Sequence, residues 1–152
     1  MAKVVGSERD EFFRAVDEAS RRAVWAALAS VEAGEPRVRM IHPTWEAGVL
    51  WFATGTRSPK LRQLRANPAV EIQYQVAPPD FVHIVVRGRA EIVELASEKK
   101  RVWDVIDYDL EQFWTGGPTD PEYSLVKVHP RRVELSKMFG SQDVRVWSAG
   151  EA

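Results

Sequence analysis

Residues 50–74 constrain the fold more than any other part of the chain, because they join two strand patterns through a very short helix pattern. Residues 50–54 read LWFAT, an apolar, aromatic and β-branched run that is typical of a buried strand. Ser58 can cap a helix whose first residue is Pro59, since proline has no N–H to lose at that position. This helix is predicted to stop at residues 67–68, which read NP.

The turn between this strand and this helix has the composition of a phosphate site. Residues 55–60 read GTRSPK and combine small, hydroxylated and basic residues. We expect unpaired backbone N–H groups, hydroxyls, the positive end of the helix dipole and the Lys60 ammonium to converge on one point. The same residues also suit an ordinary strand-to-helix connection, in which Ser58 only caps the helix and Lys60 is solvated. The residues alone leave both interpretations open.

The rest of the chain is predicted to be mainly β, with helices at the edges. Gly88 interrupts a long strand pattern and is expected to mark a bulge or a close backbone approach. Many strands at short spacing favour a small closed or half-closed antiparallel barrel over a parallel sheet. Besides residues 50–54, the predicted strands are 23–31, 37–41, 69–76, 81–95, 123–129, 133–138 and 144–147, and the other predicted helices are 7–22, with Ser7 as its cap, and 97–113.

Composition sets limits on domain count and function class. The length of 152 residues predicts a single domain over residues 1–152. Twenty-one basic against 22 acidic residues give no indication of nucleic-acid or anionic-membrane binding. The chain has no cysteine, and no apolar run approaches the roughly 20 residues that span a bilayer, so we expect a cytoplasmic protein. The three histidines have no ligand-like spacing, and no metal site is expected.

Two groups of charged residues need a structural explanation. Strand alternation places Arg37, Arg39 and Ile41 on one face of their predicted strand and Val38 and Met40 on the other. A half-buried strand usually keeps its charges on the wet side, so a solvated face remains the simpler interpretation for at least one arginine. The second group is interpreted as a solvated helix face. It consists of four acidic residues on the predicted helix 97–113, namely Asp104, Asp107, Asp109 and Glu111.

Taken together, four segments resemble one known family. They read PRVRMIHP, LWFATGTRSPKLRQLRANPAVEIQY, FVHIVVRGRAEIV and FWTGGPTDPEYSLVKVHPRRVEL, and they cover most of residues 21–135. Their order and spacing resemble the pyridoxamine 5′-phosphate oxidase-like proteins, the FMN-binding split barrels, and among them the general stress protein 26-like group. The resemblance implies a six-stranded antiparallel split β-barrel, a homodimer with FMN at the interface, and a flavin-dependent oxidoreductase that acts on a small molecule.

The resemblance also implies which residues hold the cofactor. Arg37 or Arg39, with Met40 and Ile41, would lie on the strand beside the flavin, the arginine contacting the phosphate or a ring carbonyl. His83 would contact the flavin from the partner subunit. No catalytic residue is implied.

Further cofactor contacts are implied by the central stretch and by a later loop. Phe52, Ala53 and Thr54 would flank the isoalloxazine ring, and Ser58 with Lys60 would bind the phosphate. Trp114 would be the aromatic residue of the loop that approaches the ring.

The C-terminal part departs from the vitamin B6 oxidases. Those enzymes grip the substrate phosphate with a tryptophan followed by an arginine- and histidine-containing motif, which residues 135–140 and 144–147 do not reproduce. Oxidation of pyridoxamine phosphate is therefore not expected. Two alternatives to an FMN oxidoreductase stay open, the first because related split barrels divide between FMN and F420. One is an F420-dependent reductase on the same fold, and the other is a non-catalytic flavin- or haem-binding protein of the stress response.

Overall fold

The structure is a computed structural model that describes residues 2–76 and 78–150, with side chains described from residue 8 onward. Its described part contains three α-helices, eight strands and two short 3₁₀ turns. In chain order they are α1 (Ala2–Ala23), β1 (Ala26–Glu32), β2 (Glu35–Ile41), β3 (Thr44–Glu46), β4 (Val49–Gly55), α2 (Pro59–Ala66), β5 (Ala69–Tyr74), β6 (His83–Val93), α3 (Ala96–Trp103), the 3₁₀ turns Leu110–Gln112 and Gly117–Thr119, β7 (Tyr123–Lys137) and β8 (Gln142–Ser148).

All strands belong to one antiparallel sheet. Its order is β2-β1-β5-β6-β7-β4-β3, and β8 pairs with β7 beside this path. Within the described residues no pairing joins β2 to β3 or β4, so the sheet is not closed. This confirms the predicted mainly β, split-barrel fold with antiparallel strands. The sheet has eight strands rather than six, a count that includes the three-residue β3 and the C-terminal β8.

Strand β4 is buried on both of its faces. Leu50 and Phe52 belong to the main hydrophobic core, whereas Trp51 belongs to a second cluster that includes Tyr123 and Leu125. Because both faces of β4 pack against apolar side chains, the strand reads as a continuous apolar run and not as an alternating pattern. The prediction of a buried strand at this position is confirmed.

Helix α1 lies against the main core through the predicted apolar stripe, in which Phe12, Phe13 and Val16 are buried. The helix begins at Ala2, so the prediction of a start at Ser7 is wrong. No proline precedes Ser7, and the one glycine there costs a helix only about 1 kcal/mol, so the local sequence allows the earlier start. None of the helices in the described part combines the length and apolarity needed to cross a bilayer.

Helix α3 ends at Trp103, although its apolar spacing predicted a helix as far as residue 113. A tertiary contact accounts for the early end. The backbone N–H of Asp107 donates to the hydroxyl of Thr44 at 3.2 Å, and that hydroxyl donates to the Asp107 carboxylate at 3.1 Å. These bonds attach the chain after α3 to the end of the sheet, while Ile106 and Leu110 stay buried in the second cluster.

Strand β7 is continuous, although residues 123–129 and 133–138 were predicted as two strands. Pro130 lies between the two predicted strands, where β7 lacks a second neighbour, because β4 pairs with β7 only up to Val128 and β8 pairs with it only from Arg132. At Pro130 neither β4 nor β8 lies beside β7, so the missing N–H of the proline costs no hydrogen bond to a neighbouring strand on that side. Opposite it, β6 has the bulge predicted at Gly88, where an added Cβ would lie 2.5 Å from the His129 carbonyl oxygen.

Candidate functional site

The ammonium group of Lys60 lies at the start of α2 between two hydroxyls. Its Nζ donates to Thr54 Oγ1 at 2.8 Å and to Ser58 Oγ at 3.2 Å. Ser58 is also the N-cap of the helix, as predicted, and accepts from the Lys60 backbone N–H at 3.3 Å. The strand that precedes the turn and the helix that follows it therefore contribute polar groups to one point.

The backbone N–H groups of this turn are mostly used within the protein. The N–H of Thr56 donates to the Glu122 carbonyl at 2.9 Å, that of Ser58 to Gly55 at 3.0 Å, and that of Leu61 to Ser58 at 3.1 Å. The prediction that unpaired N–H groups gather here is therefore wrong for these residues. The turn folds back on itself and against the start of β7, so binding of an anion would depend on side chains.

Arg39 joins this point from β2. The register places Arg39 opposite Leu28 and Arg37 opposite Ser30, and both partners on β1 are buried, so the two arginines lie on the inner face of the sheet. Arg39 Nη1 donates to Ser30 Oγ at 2.7 Å and to the carbonyls of Arg37 and Leu28 at 3.3 and 3.4 Å. Its Nε and Nη2 form no hydrogen bond within the described part of the chain.

We call Arg39, Thr54, Ser58 and Lys60 the basic cluster. Desolvation and the nearby charge of Arg39 lower the pKa of Lys60. Desolvation and the charge of Arg37 lower the pKa of Arg39 in turn. Among the described residues, no carboxylate lies within salt-bridge distance of Lys60 or Arg39. Two partly desolvated cations are thus held near each other without a direct salt bridge to a carboxylate, and a bound anion would relieve their repulsion.

The basic cluster also keeps hydrogen-bond donors unused. An ammonium group has three donors, and Lys60 Nζ uses two of them. The hydroxyls of Thr54 and Ser58 accept from Lys60 and retain their own protons for another acceptor. Thr56, by contrast, has its hydroxyl bonded to the Pro121 carbonyl at 2.7 Å. The arrangement can therefore donate several hydrogen bonds to an anion rich in oxygen atoms.

Two residues beside the basic cluster were missed at the level of sequence. Ser30 holds the Arg39 guanidinium and is buried, and the period-2 alternation with Leu28 could have indicated that it shares the inner face. Glu32 Oε2 lies 3.6 Å from the Nε of the more exposed Arg37. No local pattern indicated Glu32, because its partners come from other segments.

The structure separates the other residues of the predicted site from the basic cluster. Ile41 and Phe52 lie in the main core. Met40 lies on the outer face of β2 and is 51% exposed, and Ala53 packs with the second cluster on the opposite face of β4 from Thr54. Of the residues predicted to bind the cofactor, the described chain brings together Arg39, Thr54, Ser58 and Lys60, with Arg37 alongside.

His83 lies far from the basic cluster along the sheet. It pairs with Ser136 on β7, whereas Thr54 pairs with Ser124, which lies twelve residues earlier on the same strand. At about 3.3 Å per residue this is roughly 40 Å of strand. Both ring nitrogens of His83 are buried and have no hydrogen-bond partner in the described chain. Trp114 packs on Tyr123 in the second cluster, with ring centroids 5.7 Å apart.

One further polar pair was not predicted. His42 Nε2 lies 2.9 Å from Asp107 Oδ1, and the His42 ring stacks on Tyr108 at a centroid distance of 4.2 Å. The interpretation of Asp107 as part of a solvated helix face is therefore wrong, because this carboxylate binds His42 and Thr44 at the end of the sheet. The pair arises from residues more than 60 positions apart, which no local pattern reveals.

Comparison with known proteins gives the chain a family. The sequence profile of the pyridoxamine 5′-phosphate oxidase family matches residues 12–137. The comparison with curated protein sequences gave no match.

Three solved structures illustrate the likeness of fold. A protein related to general stress protein 26, from Clostridium acetobutylicum, is 16% identical, with 91% of this chain and 94% of that chain covered and a TM-score of 0.73. A pyridoxamine 5′-phosphate oxidase-related, FMN-binding protein from Nostoc punctiforme is 20% identical, with coverages of 90% and 95% and a TM-score of 0.66. An F420 reductase is 26% identical, with coverages of 73% and 89% and a TM-score of 0.58.

The profile match spans most of the chain, from residue 12 in α1 to the end of β7, and includes every residue of the basic cluster. The split sheet described above is also the fold that these solved structures share. The order of the motifs, the antiparallel sheet and the profile therefore agree. The chain belongs to the pyridoxamine 5′-phosphate oxidase family.

Proposed function

We propose that the protein binds FMN and that the basic cluster holds the FMN phosphate. The observation that carries this proposal is Lys60, a half-buried cation that is bonded to two hydroxyls, neighbours Arg39 and has no carboxylate partner in the described chain. A phosphate dianion has the charge and the acceptor oxygens that such a group of donors suits. A related protein of similar fold, the one from Nostoc punctiforme, is described as FMN-binding.

We further propose a flavin-dependent oxidoreductase that acts on a small molecule. Bound flavin would supply the redox chemistry, and the protein would bind and orient it. Arg39, Thr54, Ser58 and Lys60 would fix the phosphate end, and Arg37 would add charge at the rim. We place this activity in the reducing cytoplasm, because the sequence has no cysteine. Pyridoxamine phosphate should not be oxidised at a useful rate, since residues 135–147 lack the substrate-phosphate motif.

A homodimer is part of the proposal. Apolar side chains crowd the outer face of β1 and β2, where Val38 is 68% exposed, Met40 51% and Val31 39%, and Trp25 just before β1 is 53% exposed. A second copy would cover such a surface, and it would also bring a distant residue such as His83 toward the site. Sedimentation that shows only monomer at micromolar concentration with FMN present would contradict this part.

Purification followed by reconstitution tests FMN binding directly. The protein should be yellow as isolated or should bind added FMN, and riboflavin should bind more weakly because it lacks the phosphate. Reduction of the bound flavin by NAD(P)H, followed by transfer to an acceptor, would support the enzyme. A colourless protein that takes up no FMN would overturn the proposal.

The alternative cofactor is F420, which the 26% identity to an F420 reductase favours. F420 and FMN differ in absorption and emission spectra, so the spectrum of the bound chromophore decides between them. A flavin- or haem-binding stress protein without turnover is the third possibility. Such a protein would show a bound chromophore that is not reduced by NAD(P)H or that passes no electrons to an acceptor.

A further inference from the structure

We propose that Glu32 is a built-in counter-anion that weakens the hold of the basic cluster on phosphate. This inference rests on the proposed function, in which the phosphate belongs to FMN. Glu32 is the last residue of β1. Its carboxylate therefore lies next to the inner face on which Arg37 and Arg39 meet Ser30.

The position of Glu32 is well defined by its contacts. Oε1 accepts from Arg62 Nη2 at 2.8 Å, and Oε2 accepts from Gln63 Nε2 at 3.0 Å. Both donors belong to α2, whose N-terminus carries Ser58 and Lys60. Oε2 also lies 3.6 Å from Arg37 Nε on β2. The carboxylate thus bridges the two segments that supply the cations of the phosphate site.

Glu32 stays ionised at neutral pH. Desolvation alone would raise its pKa, but the hydrogen bonds and charges of Arg62, together with Gln63 and Arg37, outweigh it, and the pKa is lowered. The charge also acts on the basic cluster, because Glu32 raises the pKa of Arg39 against the opposing influence of Arg37. The charge of Glu32 therefore acts on the basic cluster although Glu32 forms no direct salt bridge to Arg39 or Lys60.

The negative charge of Glu32 would also repel a phosphate bound at the basic cluster. Like charges near one another raise the free energy of the complex, so Glu32 reduces the affinity for a dianion. At the dielectric constant of water, a single charge that acts on a dianion is expected to reduce the affinity about three- to tenfold. Such an effect would limit how tightly the flavin is held and would act on FMN but not on riboflavin.

The test compares the wild type with Glu32→Gln and Glu32→Asp, using titrations of FMN and riboflavin followed by quenching of flavin fluorescence. Glu32→Gln removes the charge at nearly constant size and should tighten FMN binding about three- to tenfold, leaving riboflavin unchanged. Glu32→Asp shortens the reach to Arg62 and Gln63 but keeps the negative charge. Because the charge is kept, FMN affinity should stay close to that of the wild type. Glu91→Gln is the matched control, because Glu91 pairs with His129 on other strands.

Three outcomes would overturn the inference. They are an unchanged or weaker affinity of Glu32→Gln for FMN, an equal gain for riboflavin, and a Glu32→Asp variant that behaves like Glu32→Gln. A second arm measures stabilisation by inorganic phosphate in thermal unfolding. If no variant binds FMN but phosphate stabilises Glu32→Gln more than the wild type, the proposed cofactor fails and the role of Glu32 stands. Equal stabilisation of both by phosphate would refute the role of Glu32.

Discussion

Two groups of charged side chains in the molecule differ in whether their charges are balanced. In the basic cluster, Lys60 and Arg39 are bonded to hydroxyls and carbonyls and have no carboxylate partner in the described chain. In the second group, which we call the Arg101 cluster, one guanidinium binds two carboxylates, with distances of 2.9 and 3.0 Å to Glu46 and 2.9 and 3.1 Å to Glu98.

The pKa shifts of the two groups have opposite causes. Hydrogen bonds to Glu98 and Glu46 raise the pKa of Arg101, and those bonds lower the pKa of both carboxyls. In the basic cluster, desolvation lowers the pKa of both cations, and the charge of Arg39 adds to this for Lys60 and the charge of Arg37 for Arg39. Each charge in the Arg101 cluster is stabilised by a direct salt bridge within the protein, whereas no carboxylate of the described chain forms a salt bridge with Lys60 or Arg39. This difference separates a candidate binding site from a structural ion-pair network, which perturbed pKa values alone do not.

The largest expected effect is on the basic cluster. Lys60→Ala should weaken FMN binding about 10- to 150-fold, because a hydrogen bond to a charged group contributes roughly 1.5 to 3 kcal/mol. Riboflavin, which has the same ring system without phosphate, should change much less. Titrations of both flavins by fluorescence quenching measure the effect, with the exposed Lys100→Ala as the control. Equal losses for FMN and riboflavin, or no loss for either, would identify Lys60 as a residue outside the phosphate site.

A smaller effect is expected from a hydroxyl of the same cluster. Thr54→Val keeps the shape of a buried side chain but removes one neutral donor, and it should weaken FMN binding about 2- to 12-fold. Thr56→Val is the matched control two residues later, because its hydroxyl already bonds to Pro121. The same pair of titrations applies. If Thr56→Val lowers FMN affinity as much as Thr54→Val, the assignment of hydroxyls is wrong.

A substitution in the Arg101 cluster should lower stability and leave FMN binding unchanged. Arg101→Ala leaves Glu46 without its bidentate partner and should lower the melting temperature by roughly 2–4 °C, which corresponds to about 1 kcal/mol for a partly exposed network. FMN affinity should not change, because no charge of the basic cluster is involved. Calorimetry and flavin titration of the same variant check both parts. A loss of FMN affinity without a loss of stability would remove the distinction between the two groups.

The smallest effect concerns the pH dependence of stability. The pKa values of Glu46 and Glu98 are lowered from the ordinary value of 4.5, so the stability that they contribute is present above pH 4.5 and is lost as the pH falls through their folded values. The pKa of Lys60 is lowered from 10.5, so its charge costs stability below the lowered value, and this cost disappears as the pH rises toward 10.5.

Urea unfolding across pH would resolve these two contributions. Arg101→Ala should reduce the loss of stability on the acid side, and Lys60→Met should abolish the gain on the alkaline side. The two variants serve as controls for each other, since each acts on one group only. An alkaline gain that persists in Lys60→Met would show that a different residue is responsible.

The helix cap and the individual strands could be predicted from the sequence because they depend on neighbours in the chain. The cap at Ser58, the buried strand β4, the bulge at Gly88 and the stripe of α1 follow from local conformational preference and hydrophobic periodicity. The order of four motifs along the chain also resembles the family that the profile match shows. At the site, the same local reasoning identified Lys60 and Ser58.

The tertiary structure decided the contacts between segments that are distant in the chain. Pro130 continues a strand because β4 and β8 leave a gap beside it, and α3 stops early because Asp107 bonds to Thr44. The basic cluster combines β2, β4 and the start of α2, with β1 holding Arg39 through Ser30. Local preference does not encode strand order or register, since both depend on the burial of apolar faces from the whole chain. The sequence therefore indicated which residues could bind a phosphate, and the packing of the sheet decided which of them lie together.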